Sequence, residues 1–222
     1  MGDKRRTSGT MVVGLGRFGA AVASTLDRMG KEVLAVEFNR RKVQHFTGLV
    51  PIVEADASDP EALEQAGAGD FSSAVVGVGS SLEASVLITA NLVDLGVESI
   101  WAKAVSREHG SILKRIGAHH VVYPEFDAGQ RTAHLVGAAM LDYIQMDREE
   151  FVVAKMRPPR EMDGFSIGES KPMDRYGVHV IAVLTPREPF SYADANTVVD
   201  AGDILIVSGT AAAVDRFSER PR

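Results

Sequence analysis

The sequence predicts an α/β protein: a Rossmann-like, doubly wound parallel sheet, then a crossover helix and a smaller α+β second domain. Three observations carry this prediction. Short apolar runs alternate with helix-like segments as far as residue 123, a glycine fingerprint follows the first run, and the pattern changes near residue 145. The expected boundaries are residues 1–126 for the first, Rossmann-like domain, 127–146 for the crossover helix and 147–222 for the second domain.

The strand candidates of the first domain are rich in Val, Ile and Ala and lack a clean alternation of polar and apolar residues. Such runs are typical of parallel strands that are buried on both faces of a sheet. The helix-like segments 17–29 and 81–95 are closed by Gly30 and Gly96, because glycine readily adopts the left-handed conformation that ends a helix. The strand candidates are residues 10–13, 32–36, 50–54, 73–78, 99–104 and 121–123.

The second domain is predicted from the change of pattern. Residues 127–144 carry apolar side chains at helical spacing and predict one long amphipathic helix. Strand-like runs at 151–156, 178–184 and 204–208 and a closing helix near 211–219 follow, with prolines between them. This mixture indicates an α+β domain that is too small to be the usual substrate-binding half of an enzyme.

The composition excludes several classes of function. The net charge of −6 gives DNA no general electrostatic attraction. The basic residues Lys4, Arg5 and Arg6 predict a short disordered start, with a localisation or nucleic-acid signal as the alternative. The absence of cysteine excludes disulfides, thiolate zinc sites and cysteine nucleophiles, and it fits a reducing compartment. No apolar stretch reaches the roughly 20 residues that span a bilayer. We therefore expect a cytoplasmic protein that reaches a membrane only by docking on a partner.

A dinucleotide-type fingerprint, G-x-G-x-x-G, is formed by Gly14, Gly16 and Gly19. It follows the first strand directly and opens the first helix, and the acidic residue Glu37 ends the second strand about 20 residues further on. Gly14 would make the tight turn, Gly16 would let phosphate approach the backbone, and Gly19 would let the helix pack on the strand. Glu37 would accept hydrogen bonds from ribose hydroxyls and disfavour a 2′-phosphate.

Further candidates follow the other strands, where ligands bind in open α/β sheets. The segment from Asp56 to Ser58 could line an adenine edge or simply cap a helix. Gly79 and Ser80 could make room for ribose or phosphate, or form only a turn with a serine cap. Arg17 and Lys103 would add positive charge around a phosphate chain. The alternative for Lys103 is a partly buried ion pair.

No catalytic constellation accompanies these residues. The six histidines lack metal-ligand spacing, and no nucleophile-elbow or Walker motif is present. Binding without chemistry is therefore the preferred interpretation. Two alternatives stay open: a small NAD-dependent oxidoreductase, and an NAD(H)-binding redox sensor or transcription factor. The oxidoreductase needs an acid–base residue beside the cofactor. The transcription factor needs a helix-turn-helix with a basic face.

The sequence resembles the RCK proteins (regulators of potassium conductance), in particular the KtrA/TrkA-type cytoplasmic subunits of bacterial potassium transporters. The likeness covers nearly the whole chain. It rests on VGLGRFG at 13–19, MGKEVLAVE at 29–37, IWAKA at 100–104, IGA at 116–118, YPE at 123–125 and YG at 176–177.

The resemblance implies a regulatory, non-enzymatic subunit that senses ATP and ADP, or NAD and NADH in some relatives. It implies dimers that assemble into an octameric gating ring beneath a membrane-embedded, KtrB/TrkH-like potassium transporter. Arg17 would reach the terminal phosphate, and Glu125 would help to hold a cation near the nucleotide at the dimer interface; its alternative role is a helix-start carboxylate. The resulting set of ligand-contacting residues is Gly14, Gly16, Arg17, Phe18, Gly19, Glu37, Phe38, Asp56, Ala57, Ser58, Gly79, Ser80, Lys103 and Glu125, with Glu125 also the candidate metal ligand.

Cyclic di-AMP is a further ligand that the resemblance suggests for the second domain. Relatives use apolar residues, which Ile167 and Ile181 match, and an arginine just before a Tyr-Gly pair. Pro172 stands where that arginine is expected, although Arg175 precedes Tyr176 and could replace it. The alternative is that this domain serves only in dimerisation.

Overall fold

A computed structural model of the protein describes residues 7–137, 140–146, 151–186 and 191–221. The basic residues at positions 4–6 lie outside the described part of the chain. The chain forms two compact units, Met1–Glu125 and Phe126–Arg222, and each has its own hydrophobic core.

The first unit contains a parallel sheet of six strands in the order β3-β2-β1-β4-β5-β6. This is the strand order of a doubly wound fold, which confirms the predicted fold class. The order reverses between β1 and β4, so a crevice opens there at the carboxyl ends of the strands. The strands are β1 (Thr7–Val13), β2 (Val33–Glu37), β3 (Ile52–Glu54), β4 (Phe71–Val76), β5 (Ser99–Lys103) and β6 (His120–Val122).

Five helices connect these strands, and most begin at a side chain that caps them. The side chains of Asn39, Asp59, Ser81 and Ser106 each accept a hydrogen bond from a backbone amide in the first turn of the helix that follows. The helices are α1 (Arg17–Arg28), α2 (Arg40–Phe46), α3 (Pro60–Gln65), α4 (Leu82–Asp94) and α5 (Arg107–Ile116), with a short 3₁₀ turn at Ala68–Asp70.

Both faces of this sheet are buried, which explains its continuous apolar strands. Met11 packs on the same side as Leu92 of α4 and Leu113 of α5, whereas Val12 packs with Ala23 of α1 on the other side. All five side chains are fully shielded from solvent. A rigid, two-sided core of this kind fixes the positions of the loops at the carboxyl ends of the strands.

The second unit is built on an antiparallel sheet of five strands in the order β11-β10-β13-β8-β7, with a separate pair of β9 and β12. Met156, Leu205 and Phe217 are fully buried in its hydrophobic core. Its strands are β7 (Met140–Gln145), β8 (Phe151–Met156), β9 (Phe165–Ser166), β10 (Val178–Leu184), β11 (Ser191–Tyr192), β12 (Val198–Val199) and β13 (Ile204–Thr210). Its helices are α6 (Pro124–Gly137), which begins at the end of the first unit, α7 (Ile167–Ser170), α8 (Pro172–Tyr176) and α9 (Ala211–Ser218), with a 3₁₀ turn at Arg160–Met162.

The long helix predicted over residues 127–144 is wrong in its second half. The helix α6 ends at Gly137, and Met140–Gln145 forms an edge strand that pairs with β8. A register shift between Met140 and Asp142 marks a bulge, and it lets Met140 and Tyr143 both face the core although they are three residues apart. In a regular strand this spacing points to opposite faces, so the bulge imitates the periodicity of a helix.

In the described part of the chain, no helix is both long enough and apolar enough to cross a membrane.

Candidate functional site

A cavity of about 770 Å³ lies in the first unit, at the carboxyl ends of the parallel strands. All the ligand-contacting residues predicted from the sequence line it except Gly19. The cavity thus gathers residues that are far apart in the chain, because parallel strands end at one edge of the sheet. Its size is in the range of sites for small molecules and cofactors.

The glycine turn forms one wall of the cavity. Gly14 has a φ of +87°, a conformation that favours glycine, and a Cβ there would also stand 2.7 Å from a methyl group of Val78. A Cβ on Gly19 would collide with the carbonyl oxygen of Gly14, so Gly19 supports the site from behind by letting α1 pack against the turn. Both requirements match the roles predicted from the fingerprint.

Gly16 differs from these two glycines because its surroundings are open. It is the N-cap residue of α1, its φ is −71°, and a Cβ added to it would meet nothing within 4 Å. No side chain caps the helix at this end. The first backbone amides of α1 and the positive end of its dipole are therefore available to an anion in the cavity.

Glu37 ends β2 and is only 6% exposed. Its Oε2 accepts a hydrogen bond from the backbone N–H of Leu15 at 2.7 Å, and its Oε1 accepts one from the N–H of Asn39 at 2.9 Å. The Lys42 ammonium lies 3.3 Å from Oε2. Glu37 thus joins the glycine turn to the start of α2, while it also lines the cavity.

Lys103 and Glu125 form an ion pair on the opposite side of the cavity. The ammonium of Lys103 donates to Oε1 of Glu125 at 2.6 Å; Lys103 is 13% exposed and Glu125 60%. This hydrogen bond is the main cause that lowers the pKa of Glu125, and the positive charge of Arg17 adds to it. Lys103 therefore forms the partly buried ion pair that was the alternative interpretation, and it also lines the cavity.

The loop after β3 is held in shape by its own side chains. Oδ1 of Asp56 accepts hydrogen bonds from the amide and the hydroxyl of Ser58, at 3.0 and 2.6 Å. Asn91 of α4 donates to the carbonyl oxygens of Ala57 and Ser58. The residue that caps α3 is Asp59 and not Asp56, and Asp56 lies on the cavity wall.

Other residues of the cavity wall were not among the predicted ligand contacts, and Lys42, Val105 and Ile88 are three of them. Lys42 lies in the first turn of α2, five residues after Glu37, and its helical position after a capping Asn39 was the signal that could have revealed it. Val105 and Ile88 carry no such signal, since an apolar residue after a strand or in a helix has many other possible surroundings.

No group of three or more His, Asp or Glu side chains that could hold a metal ion occurs in the described residues. The histidines of the first unit have structural partners instead. His109 is buried, its Nδ1 accepts from the N–H of Val105, and burial lowers its pKa; His119 accepts from the N–H of Ile100. Glu125 as a cation ligand thus stays a prediction.

In the second unit, the residues considered for cyclic di-AMP have mainly local contacts. Arg175 lies 3.7 Å from Glu161 and over the ring of Tyr176, and Pro172 is buried at the start of α8. Arg220 also binds Glu161, at 2.9 Å. The binding of cyclic di-AMP stays a prediction.

The fold and the cavity together define a Rossmann-type ligand-binding unit joined to a small α+β unit. Residues 10–124 match the model of the TrkA-N domain, and residues 150–221 match that of the TrkA-C domain. The chain is 33% identical to Ktr system potassium uptake protein C of Bacillus subtilis (strain 168), over 94% of this chain and 95% of that protein. It is 31% identical to Ktr system potassium uptake protein A of the same organism, over 93% of each.

Among solved structures, the RCK domain of GsuK superposes with a TM-score of 0.68 at 19% identity and covers 100% of this chain, which spans 50% of that one. GsuK bound to ADP superposes with a TM-score of 0.50 at 25% identity, over 60% of this chain and 35% of that one. The chain therefore belongs to the family that combines a TrkA-N with a TrkA-C domain, which confirms the RCK-type resemblance seen in the sequence.

Proposed function

We propose that this chain is a nucleotide-sensing regulatory subunit of a potassium uptake system, and that the cavity of its first unit binds ATP and ADP. The observation that carries the proposal is the convergence of three features on one cavity: the uncapped start of α1 at Gly16, the cations Arg17 and Lys103, and the acid Glu37. The names of the Bacillus relatives support the link to potassium uptake. The GsuK structure with ADP supports a nucleotide as ligand.

The arrangement suggests how an adenine nucleotide would lie. Its phosphates would meet the amides of α1 and the cations Arg17 and Lys103, since helix starts and cations both attract anions. Its ribose would face Glu37. Phe38, which is 72% exposed beside Glu37, and the loop of Asp56 would flank the base.

Discrimination between ATP and ADP would come from Arg17. Its side chain is exposed at the start of α1 and lies close enough to Glu125 to influence the pKa of that carboxyl. A contact to the γ-phosphate would exist with ATP only, and a ligand shifts an equilibrium only through such a difference. Repeated around a homo-oligomeric ring, this small bias could move a gate cooperatively.

Lys103 would connect the phosphates to Glu125. If the Lys103 ammonium turns towards a phosphate, it releases the carboxylate of Glu125, which could then help to hold a cation. The proposed setting is the cytoplasmic side of the membrane, where dimers form an octameric ring on a membrane-embedded potassium transporter. In this proposal the protein binds its nucleotide without transforming it.

The test is calorimetric titration of the purified chain with ATP, ADP, NAD and NADH, with light scattering to measure its mass. We expect both ATP and ADP to bind. The substitution Arg17→Ala should lower the affinity for ATP by about tenfold more than the affinity for ADP. Arg28→Ala is the matched control, because it removes the same charge from the far end of α1. Binding of NAD or NADH alone, by a dimer, would instead favour a redox sensor or a small oxidoreductase.

A further inference from the structure

Lys42 is the one cation of the cavity wall that is paired with the predicted ribose acceptor. It lies on α2, its side chain is 46% exposed, and its ammonium is 3.3 Å from Oε2 of Glu37. Lys42 also lines the cavity. An ion pair in this place bears directly on how Glu37 could bind a sugar.

The acceptor capacity of Glu37 is limited. An ionised carboxylate offers about four positions to hydrogen-bond donors. Three donors already face it: the backbone N–H groups of Leu15 and Asn39, and the ammonium of Lys42. One position is left, whereas a ribose whose 2′- and 3′-hydroxyls both donate to Glu37 requires two.

Of the three donors, only Lys42 can leave at low cost. Leu15 is 3% exposed and belongs to the glycine turn, so its amide is fixed by the packed core around it. The side chain of Asn39 caps α2 by accepting from the amides of Arg41 and Lys42, which fixes the backbone there. The ammonium of Lys42 ends a flexible, half-exposed chain, and its hydrogen bond is the longest of the three.

We propose that Lys42 occupies the ribose-binding position of Glu37 in the empty site and is displaced when both ribose hydroxyls bind. Lys42 thereby sets the selectivity of the site for the sugar. It lowers the affinity for a ribose whose two hydroxyls both donate to Glu37, and it does not change the affinity for a sugar with one such hydroxyl. This inference rests on the proposed function, because it assumes that an adenine nucleotide enters the cavity.

The test compares ATP with 2′-deoxy-ATP in calorimetric titrations of the full chain. In Lys42→Met, the second acceptor position is free, and the affinity for ATP should rise by about fivefold relative to 2′-deoxy-ATP. Arg41→Met is the matched control, since it removes the same charge from the neighbouring position of the same helix. The loss of general attraction for phosphates then cancels in the ratio of the two affinities. Circular dichroism would confirm that the variants are folded.

The two possible failures are distinguishable. An ATP to 2′-deoxy-ATP ratio that is the same in Lys42→Met, Arg41→Met and the unaltered protein would overturn the role of Lys42 alone. A ratio that falls in Lys42→Met would mean that Lys42 helps to hold the ribose, which also overturns it. If the unaltered protein binds neither nucleotide, the proposed function fails, and this inference fails with it.

Discussion

The two units of this chain use charged side chains in opposite ways. In the first unit, Glu37 and Lys103 lie around a cavity, and each has a partner that also borders the cavity. In the second unit, Glu161 is enclosed by Arg220 and by Tyr176, whose hydroxyl donates to it at 2.5 Å. These contacts join separate parts of that unit to one another. The charged groups of the first unit thus line a cavity, whereas those of the second tie its own elements together.

Sheet topology explains the difference. Every strand of the parallel sheet ends at the same edge, so the polar residues that follow the strands converge there. In the antiparallel sheet, successive strands end on opposite edges, and the polar residues of its loops are divided between them. Similar side chains therefore converge on one cavity in the first unit and form structural contacts in the second.

The largest expected effect comes from Gly19, where the first unit has no room for a side chain. Gly19→Ala forces a methyl group against the Gly14 carbonyl oxygen, so we expect the free energy of unfolding to fall by about 3 kcal/mol. Urea unfolding followed by the fluorescence of Trp101, the single tryptophan of the chain, reports on this unit. Gly16→Ala is the control, because its methyl group enters open space. It should lower the free energy of unfolding by less than about 1 kcal/mol, while it weakens the binding of ATP. Equal losses of stability would contradict the division of roles between the two glycines.

A smaller effect is expected in the second unit, from Glu161. The hydrogen bonds from Arg220, and then from Tyr176, lower the pKa of Glu161 below its ordinary value of 4.5. A carboxyl with a lowered pKa in the folded state stabilises the protein above pH 4.5, and this contribution is lost as the pH falls through the folded-state pKa. Glu161→Gln should therefore lower the free energy of unfolding by about 1 kcal/mol at pH 7, and the deficit should vanish in acid.

Urea unfolding followed by circular dichroism, at pH 7 and at acidic pH, measures this deficit. Glu219→Gln is the matched control, because it removes the same charge from an exposed position just after α9. A deficit that stays constant with pH would show that Glu161 does not act through its charge. A loss of ATP affinity in Glu161→Gln would contradict the contrast between the two units.

The smallest effect concerns the ion pair of Lys103 and Glu125 in the first unit. Lys103→Met removes the hydrogen bond that lowers the pKa of Glu125, so we expect this pKa to rise towards its ordinary value. Carboxyl chemical shifts measured by NMR during an acid titration follow it directly. The same titration with saturating ATP tests whether a bound phosphate draws Lys103 away from Glu125, because that movement should also raise the pKa of Glu125. An unchanged pKa in Lys103→Met would contradict the ion pair.

The sequence alone determined the parallel sheet, the glycine turn and the acid at the end of β2, because each depends on local preference. Gly14 needs a positive φ, and uninterrupted apolar strands need a sheet that is covered on both faces. The residues that follow those strands could also be named, since parallel strands share one edge. The family was recognisable from the same segments.

Only the tertiary structure decided the rest. Met140 and Tyr143 fit a helix or a bulged strand equally well in sequence, and pairing with β8 decided for the strand. Lys103 is 22 residues from Glu125, and no local pattern predicts their ion pair. The same holds for Lys42, whose contact with Glu37 depends on how α2 leaves the sheet. Local preferences depend on neighbouring residues in the chain. Contacts between distant residues depend on the register of the strands and on how distant segments pack together.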